Sequence, residues 1–88
     1  MDDRYFIYGR STCPFCTLAE NFLSAQKREF YFFDYAEDLD SLDHVKHFYS
    51  SETVPIILEN NKDTGQTIKI GGYTDLLDWH RFNAKENN

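Results

Sequence analysis

The stretch Arg4-Tyr5-Phe6-Ile7-Tyr8-Gly9-Arg10-Ser11-Thr12-Cys13-Pro14-Phe15-Cys16 decides how the chain is read. Arg4 to Tyr8 is short and apolar, as in a buried strand, and Gly9 ends it. From Phe15 onward the apolar residues fall at Leu18, Ala19, Phe22 and Leu23, the stripe of an amphipathic helix expected to reach about Gln26. Strand therefore gives way to helix across residues 9–14, which puts Pro14 at the first helical position and Cys13 at the N-cap. Unpaired backbone N–H groups and the positive end of the helix dipole favour a thiolate there, so the pKa of Cys13 is expected below the free value of about 8.5. Cys13 is the expected nucleophile. Cys16, one turn along, should lie within reach of the Cys13 sulfur yet be better covered, which suits a resolving thiol. Arg10, three residues before Cys13, is expected to add positive charge near the thiolate and near an incoming carboxylate.

Outward from this stretch, Phe30 to Tyr35 is short and aromatic throughout and reads as a second buried strand. Leu42, Val45, Phe48 and Tyr49 recur at helical spacing behind a run of Asp and Ser that suits a helix N-terminus, and this helix should end near Ser50. Val54 to Glu59 and Thr67 to Ile70 are β-rich runs joined by the polar stretch Asn60 to Gly65, the pattern of a hairpin. Gly71-Gly72 breaks the second run, Thr74 offers an N-cap, and Leu76, Leu77, Trp79, His80 and Phe82 predict a last amphipathic helix. Lys85 to Asn88 is expected to be a frayed tail.

The element order is βαβ followed by αββα, an α/β chain in which the first two strands run parallel and the hairpin adds antiparallel pairing. A four-stranded mixed sheet flanked by helices follows. Periodicity leaves the order of strands across that sheet open.

With 88 residues the chain has room for a single domain, 1–88, and its 41% hydrophobic and 17% aromatic content can fill one core. A net charge of −6, with acids dense from Asp34 to Asp43, argues against a nucleic-acid partner. Tyr5 to Tyr8 is too short for a signal core or a membrane span, so a cytoplasmic location without membrane contact is expected. In that reducing compartment a lone Cys-x-x-Cys pair is for redox chemistry or metal. A zinc site would need His44, His47 or His80 to complete it. A cysteine pair opened by proline at a strand-to-helix turn fits redox better, and no metal is expected.

Three segments, Arg10-Ser11-Thr12-Cys13-Pro14-Phe15-Cys16, Thr53-Val54-Pro55 and Gly71-Gly72-Tyr73-Thr74-Asp75, together resemble the signatures of glutaredoxins in order and spacing. The resemblance spans nearly the whole chain. It implies a thioredoxin-like fold and a redox-active Cys13–Cys16 disulfide, with glutathione as cosubstrate and reductant. It also implies electron transport to disulfide-containing or glutathionylated client proteins, ribonucleotide reductase among the candidates, by a monomer. By the same resemblance Pro55 follows a cis bond, Val54 pairs its backbone with the cysteinyl part of glutathione, and Thr74 and Asp75 take the γ-glutamyl end. Arg10, Phe15 and Thr53 complete the implied glutathione-binding set.

The chain departs from the family pattern at Arg10, where many relatives carry Lys, and at Leu42 and Glu52, near positions that in relatives hold the glycyl carboxylate. Lys46 or His47 could substitute. Two rival readings stay open beside the glutathione-linked enzyme. One is a glutaredoxin-like donor recharged by thioredoxin reductase. The other is a binding module in which two copies hold an iron-sulfur cluster with glutathione, a use for which Pro14 is an unusual residue.

Overall fold

In the computed structural model, which describes residues 3–86, the first strand is β1 (Asp3–Gly9) and lies inside a four-stranded sheet. The other elements follow as α1 (Pro14–Ala25), β2 (Glu29–Asp34), α2 (Leu39–Phe48), β3 (Ile56–Asn61), β4 (Thr67–Gly71) and α3 (Tyr73–Glu86). The strand order is β2-β1-β3-β4. β1 and β2 pair in parallel, Ile7 opposite Phe32, as the α1 crossover requires, while β1–β3 and β3–β4 are antiparallel.

Alternation along β1 sorts the two faces of the sheet. Tyr5 and Ile7 point to one face, where they join Ile57 of β3, Ala19 and Leu23 of α1 and Leu76 of α3 in the main core. Burying each large aliphatic side chain there contributes about 1.5–3 kcal/mol. Phe6 and Tyr8 point the other way, and Tyr8 stacks on Phe33 and meets Tyr49 at the end of α2. Helices thus flank both faces, α1 and α3 on the first and α2, with buried Leu42, on the second.

Several local expectations are corrected. Phe30 to Tyr35 reads as a buried strand, yet β2 is an edge strand whose Tyr31 and Phe33 are 45% and 39% exposed. Only Phe30 and Phe32 turn to the core, and the ten-residue α2 covers one part of the opposite face. The third strand starts at Ile56, two residues after the expected Val54, because the chain bends at a cis Val54–Pro55 peptide before pairing begins. The last helix starts at Tyr73, so its N-cap is Gly72 and not Thr74. Asp75, at the third helical position, reaches back to accept the Gly72 N–H at 2.9 Å, one half of a capping box. Helix also continues through Lys85 and Glu86, where a frayed tail is expected; Asn87 and Asn88 lie outside the described residues.

The other helix ends follow ordinary capping chemistry. Asp38 caps α2 by accepting from the Ser41 N–H, and Lys27 and Ser50 take left-handed φ just past the ends of α1 and α2. Among the described residues no helix is long and apolar enough to cross a membrane.

Candidate active site

β1 delivers the chain to the C-terminal edge of the sheet, where a turn closed by Cys13 N–H donating to the Arg10 carbonyl at 3.1 Å leads into α1. Cys13 is the N-cap, with extended backbone at φ −93° and ψ 119°, and its own carbonyl accepts the first helical bonds from Cys16 and Thr17. Pro14 occupies the first helical position. Cys13 is 8% exposed and Cys16 fully buried.

The two thiols are driven apart. Burial alone would push Cys13 up, but the backbone N–H of Cys16, the Cys16 thiol, the Phe15 N–H and the Arg10 charge together bring it below its ordinary value. Burial also acts on Cys16, and with a hydrogen bond to Cys13 and repulsion from a Cys13 thiolate it pushes Cys16 up to about 12. The shared hydrogen bond acts in both directions: the Cys16 S–H donates to a Cys13 thiolate, steadying one anion and opposing a second. Of the two sulfurs Cys13 gives up its proton more readily, and Cys16 holds its own.

Space is made for this arrangement by Gly9. Its backbone passes so close to Cys16 that a Cβ there would collide with the sulfur, and it would also touch the ring of Phe32.

Beside Cys13 opens a cleft of about 780 Å³. Its wall gathers Arg10, Phe15, Thr53, Val54, Pro55, Thr74 and Asp75, the full set that the family resemblance implies for glutathione. The Val54 carbonyl lies 3.9 Å from Cys13 Sγ, which places the turn before β3 against the thiol. Phe15 and Tyr73 face each other across one side with ring centroids 6.2 Å apart. Gly71 has φ +124°, a conformation open to glycine, and a side chain there would run into Asp75. Arg10 Nε is buried and makes no hydrogen bond among the described residues.

Of the alternatives for a second cation, Lys46 lines the cleft and His47 does not. Leu42 is buried in the core and takes no part, while Glu52 does stand on the wall. Lys69 is a wall residue that the sequence reading missed: it sits on β4 and donates to the Tyr49 carbonyl at 2.6 Å. Nothing in the local sequence of a hairpin strand marks such a lysine, because strand pairing and the end of α2 bring it to the cleft. Among the described residues no group of three or more His, Cys, Asp or Glu side chains is arranged to hold a metal ion.

Comparison with known proteins agrees with this geometry. No curated protein sequence matches the chain. Among solved structures, a wheat glutaredoxin superposes with a TM-score of 0.70 at 20% identity, covering 88% of this chain and 68% of that one, a likeness of fold. Glutaredoxin 1 from Francisella tularensis, solved in complex with cacodylate, gives 0.60 at 25% identity over 96% of this chain and 94% of that one. Reduced Escherichia coli glutaredoxin gives 0.59 at 29% identity, with 93% and 98% covered. The sequence profile of the glutaredoxin family matches residues 5–63, from β1 through β3 and including both cysteines. With that match, the thioredoxin-like sheet and a Cys-x-x-Cys pair whose two thiols have opposite proton affinities, the chain belongs to the glutaredoxin family of thiol-disulfide oxidoreductases.

Proposed function

We propose that the protein is a glutathione-linked dithiol oxidoreductase that reduces glutathione mixed disulfides and protein disulfides, with Cys13 attacking and Cys16 resolving. The observation that carries the reading is the cleft beside Cys13, where the Val54 carbonyl stands against the sulfur, α3 begins and cations lie on the wall. Glutathione is an extended tripeptide with an ammonium and a carboxylate at its γ-glutamyl end and a second carboxylate on its glycine. The first turn of α3 suits the γ-glutamyl carboxylate, and the Asp75 oxygen not used by Gly72 suits the ammonium. Val54 offers its backbone to the cysteinyl unit. Arg10, with its unpaired Nε, and Lys46 suit the glycyl carboxylate.

The chemistry follows from the thiol pair. The Cys13 thiolate attacks the glutathione sulfur of a mixed disulfide; that S–S bond breaks, and the client leaves as a thiolate that takes up a proton. A second glutathione thiolate then attacks the bound glutathione, giving glutathione disulfide and restoring Cys13. With a protein disulfide, the Cys13 thiolate attacks one client sulfur, the client's S–S bond breaks, and its other sulfur leaves as a thiolate. Burial is the main cause of the high proton affinity of Cys16; forming the neutral mixed disulfide removes the smaller opposition from a Cys13 thiolate, and Cys16 then passes its proton to the departed client thiolate as it attacks Cys13. A Cys13–Cys16 disulfide forms, the reduced client departs, and two glutathiones reopen the bond. Clients such as a ribonucleotide reductase and action as a monomer in the cytoplasm belong to the same proposal.

The test is reduction of a small glutathione mixed disulfide, coupled either to glutathione and glutathione reductase or to thioredoxin reductase. Faster turnover with glutathione is expected. The reverse result would make the protein a reductase-fed donor, a reading that one observation favours: Glu52 sets a negative charge on the wall of the cleft.

A further inference from the structure

We propose that Asp34, at the end of β2, is a positioning residue that holds the redox turn so that Arg10 and the helix-start donors stay aimed at Cys13. The proposal rests on reading Cys13 as the attacking thiolate.

The redox turn has little of its own to hold it. Ser11 and Thr12 are exposed, and the Cys13-to-Arg10 hydrogen bond closes the turn without fixing it to the sheet. The sheet ends beside it, where Tyr35 N–H donates to the Gly9 carbonyl at 2.8 Å. Asp34 stands at this junction. One of its oxygens, Oδ1, accepts from the Ser11 N–H at 2.9 Å and from the Ala36 N–H at 2.9 Å, so a single carboxylate joins the redox turn to the loop that leaves β2. The Ser11 side chain hydrogen-bonds it as well, and these donors hold its carboxyl below the usual carboxylate range. It therefore acts as an ionised acceptor near neutral pH, the stronger kind.

Arg10 and Cys13 are the two ends of the clamped turn. The charge of Arg10 and the N–H groups of Phe15 and Cys16 lower Cys13 only while the turn keeps them aimed at the sulfur. Asp34 carries the wrong sign to help a thiolate by its charge, and its field is already felt by Glu20 of α1, which burial first and then Asp34 push up. Its benefit to Cys13 has to come through geometry. Positioning and charge consequently predict shifts of opposite sign, which makes the proposal testable.

The measurement is the rate of Cys13 alkylation by iodoacetamide across a pH series on the full chain, with a melting curve for each variant. In Asp34→Ala the inflection should move up toward that of a free thiol, with roughly a threefold or greater loss of rate at pH 6. Asp34→Asn keeps an oxygen acceptor at the same place and should stay close to the wild-type profile. Asp34→Glu keeps the charge but displaces the acceptor by one methylene; it should shift upward, and it serves in place of Asp34→Ala if that variant does not fold. An unmoved inflection in Asp34→Ala or Asp34→Glu would overturn the proposal. So would a downward shift shared by Asp34→Ala and Asp34→Asn, which is what loss of a nearby negative charge produces. A wild-type inflection no lower than a free thiol would instead remove the reading of Cys13 on which the proposal stands.

Discussion

At Cys13 and Cys16 the same hydrogen bond acts with opposite sign, lowering the proton affinity of one sulfur and raising that of the other. The roles that follow are unequal, and so should be the mutants. Cys13→Ser is expected to abolish reduction of every disulfide substrate, since the other cysteine, Cys16, is fully buried. Cys16→Ser should retain turnover on glutathione mixed disulfides, which a second glutathione can resolve, and lose turnover on protein disulfides. Equal loss of both activities in the two variants would contradict the division of labour. The cysteine pair was legible in the sequence because helix-start chemistry is local: Pro14, the N-cap position and the apolar stripe behind it all lie within a few residues. Asp34 was not, because its partner Ser11 is 23 residues away and only the parallel register of β1 and β2 brings them together.

Among the elements, the close approach of β1 to the start of α1 is what keeps Cys16 buried under Cys13. Gly9 is glycine for want of space, as its neighbour there is the Cys16 sulfur. Gly9→Ala should cost about 1–3 kcal/mol, the usual range for overpacking, seen as a lowered melting temperature. Because the displaced atom is the resolving sulfur, reduction of protein disulfides should fall more than reduction of glutathione mixed disulfides. A stable variant with both activities intact would show that the helix start shifts without consequence. Apolar period suffices for the element types and for the end of α1 at about Gln26, but not for where β3 and α3 begin. The start of β3 depends on the bend at Val54–Pro55, and the start of α3 on Asp75 reaching back to Gly72, neither of which apolar spacing encodes.

For the molecule as a whole, the end of the sheet away from the cysteines carries its own titration. Glu59 of β3 is raised from 4.5 to about 7 by burial first and then by the carboxyl of Asp3, while hydrogen bonds from Trp79 and Tyr5 pull the other way. A carboxyl raised in the folded state binds its proton more tightly than in the unfolded chain. Between the ordinary value and about 7, folding therefore takes up protons, and stability falls as pH rises through that window. Melting temperatures from about pH 5 to pH 7.5 should decline in the wild type and decline less in Glu59→Gln, in which that carboxyl is absent. Parallel curves for the two proteins would show that Glu59 is not linked to folding. The depressed carboxyls of Asp34 and Asp38 act at lower pH and do not confound the comparison.

The sequence by itself determined the element order, the parallel pairing of β1 with β2, the antiparallel β3–β4 hairpin and Cys13 as the residue at the start of α1, since each rests on periodicity, chain connectivity or interactions within one helical turn. It could not determine the strand order β2-β1-β3-β4 or the exposure of Tyr31 and Phe33, because which strand becomes an edge is a competition among all the apolar faces at once. Nor could it determine the cleft wall in full. Lys69 on that wall, and Asp34 away from it at the redox turn, owe their places to strand register and to the end of a helix that is distant in sequence. Their contacts exist only once the sheet has formed.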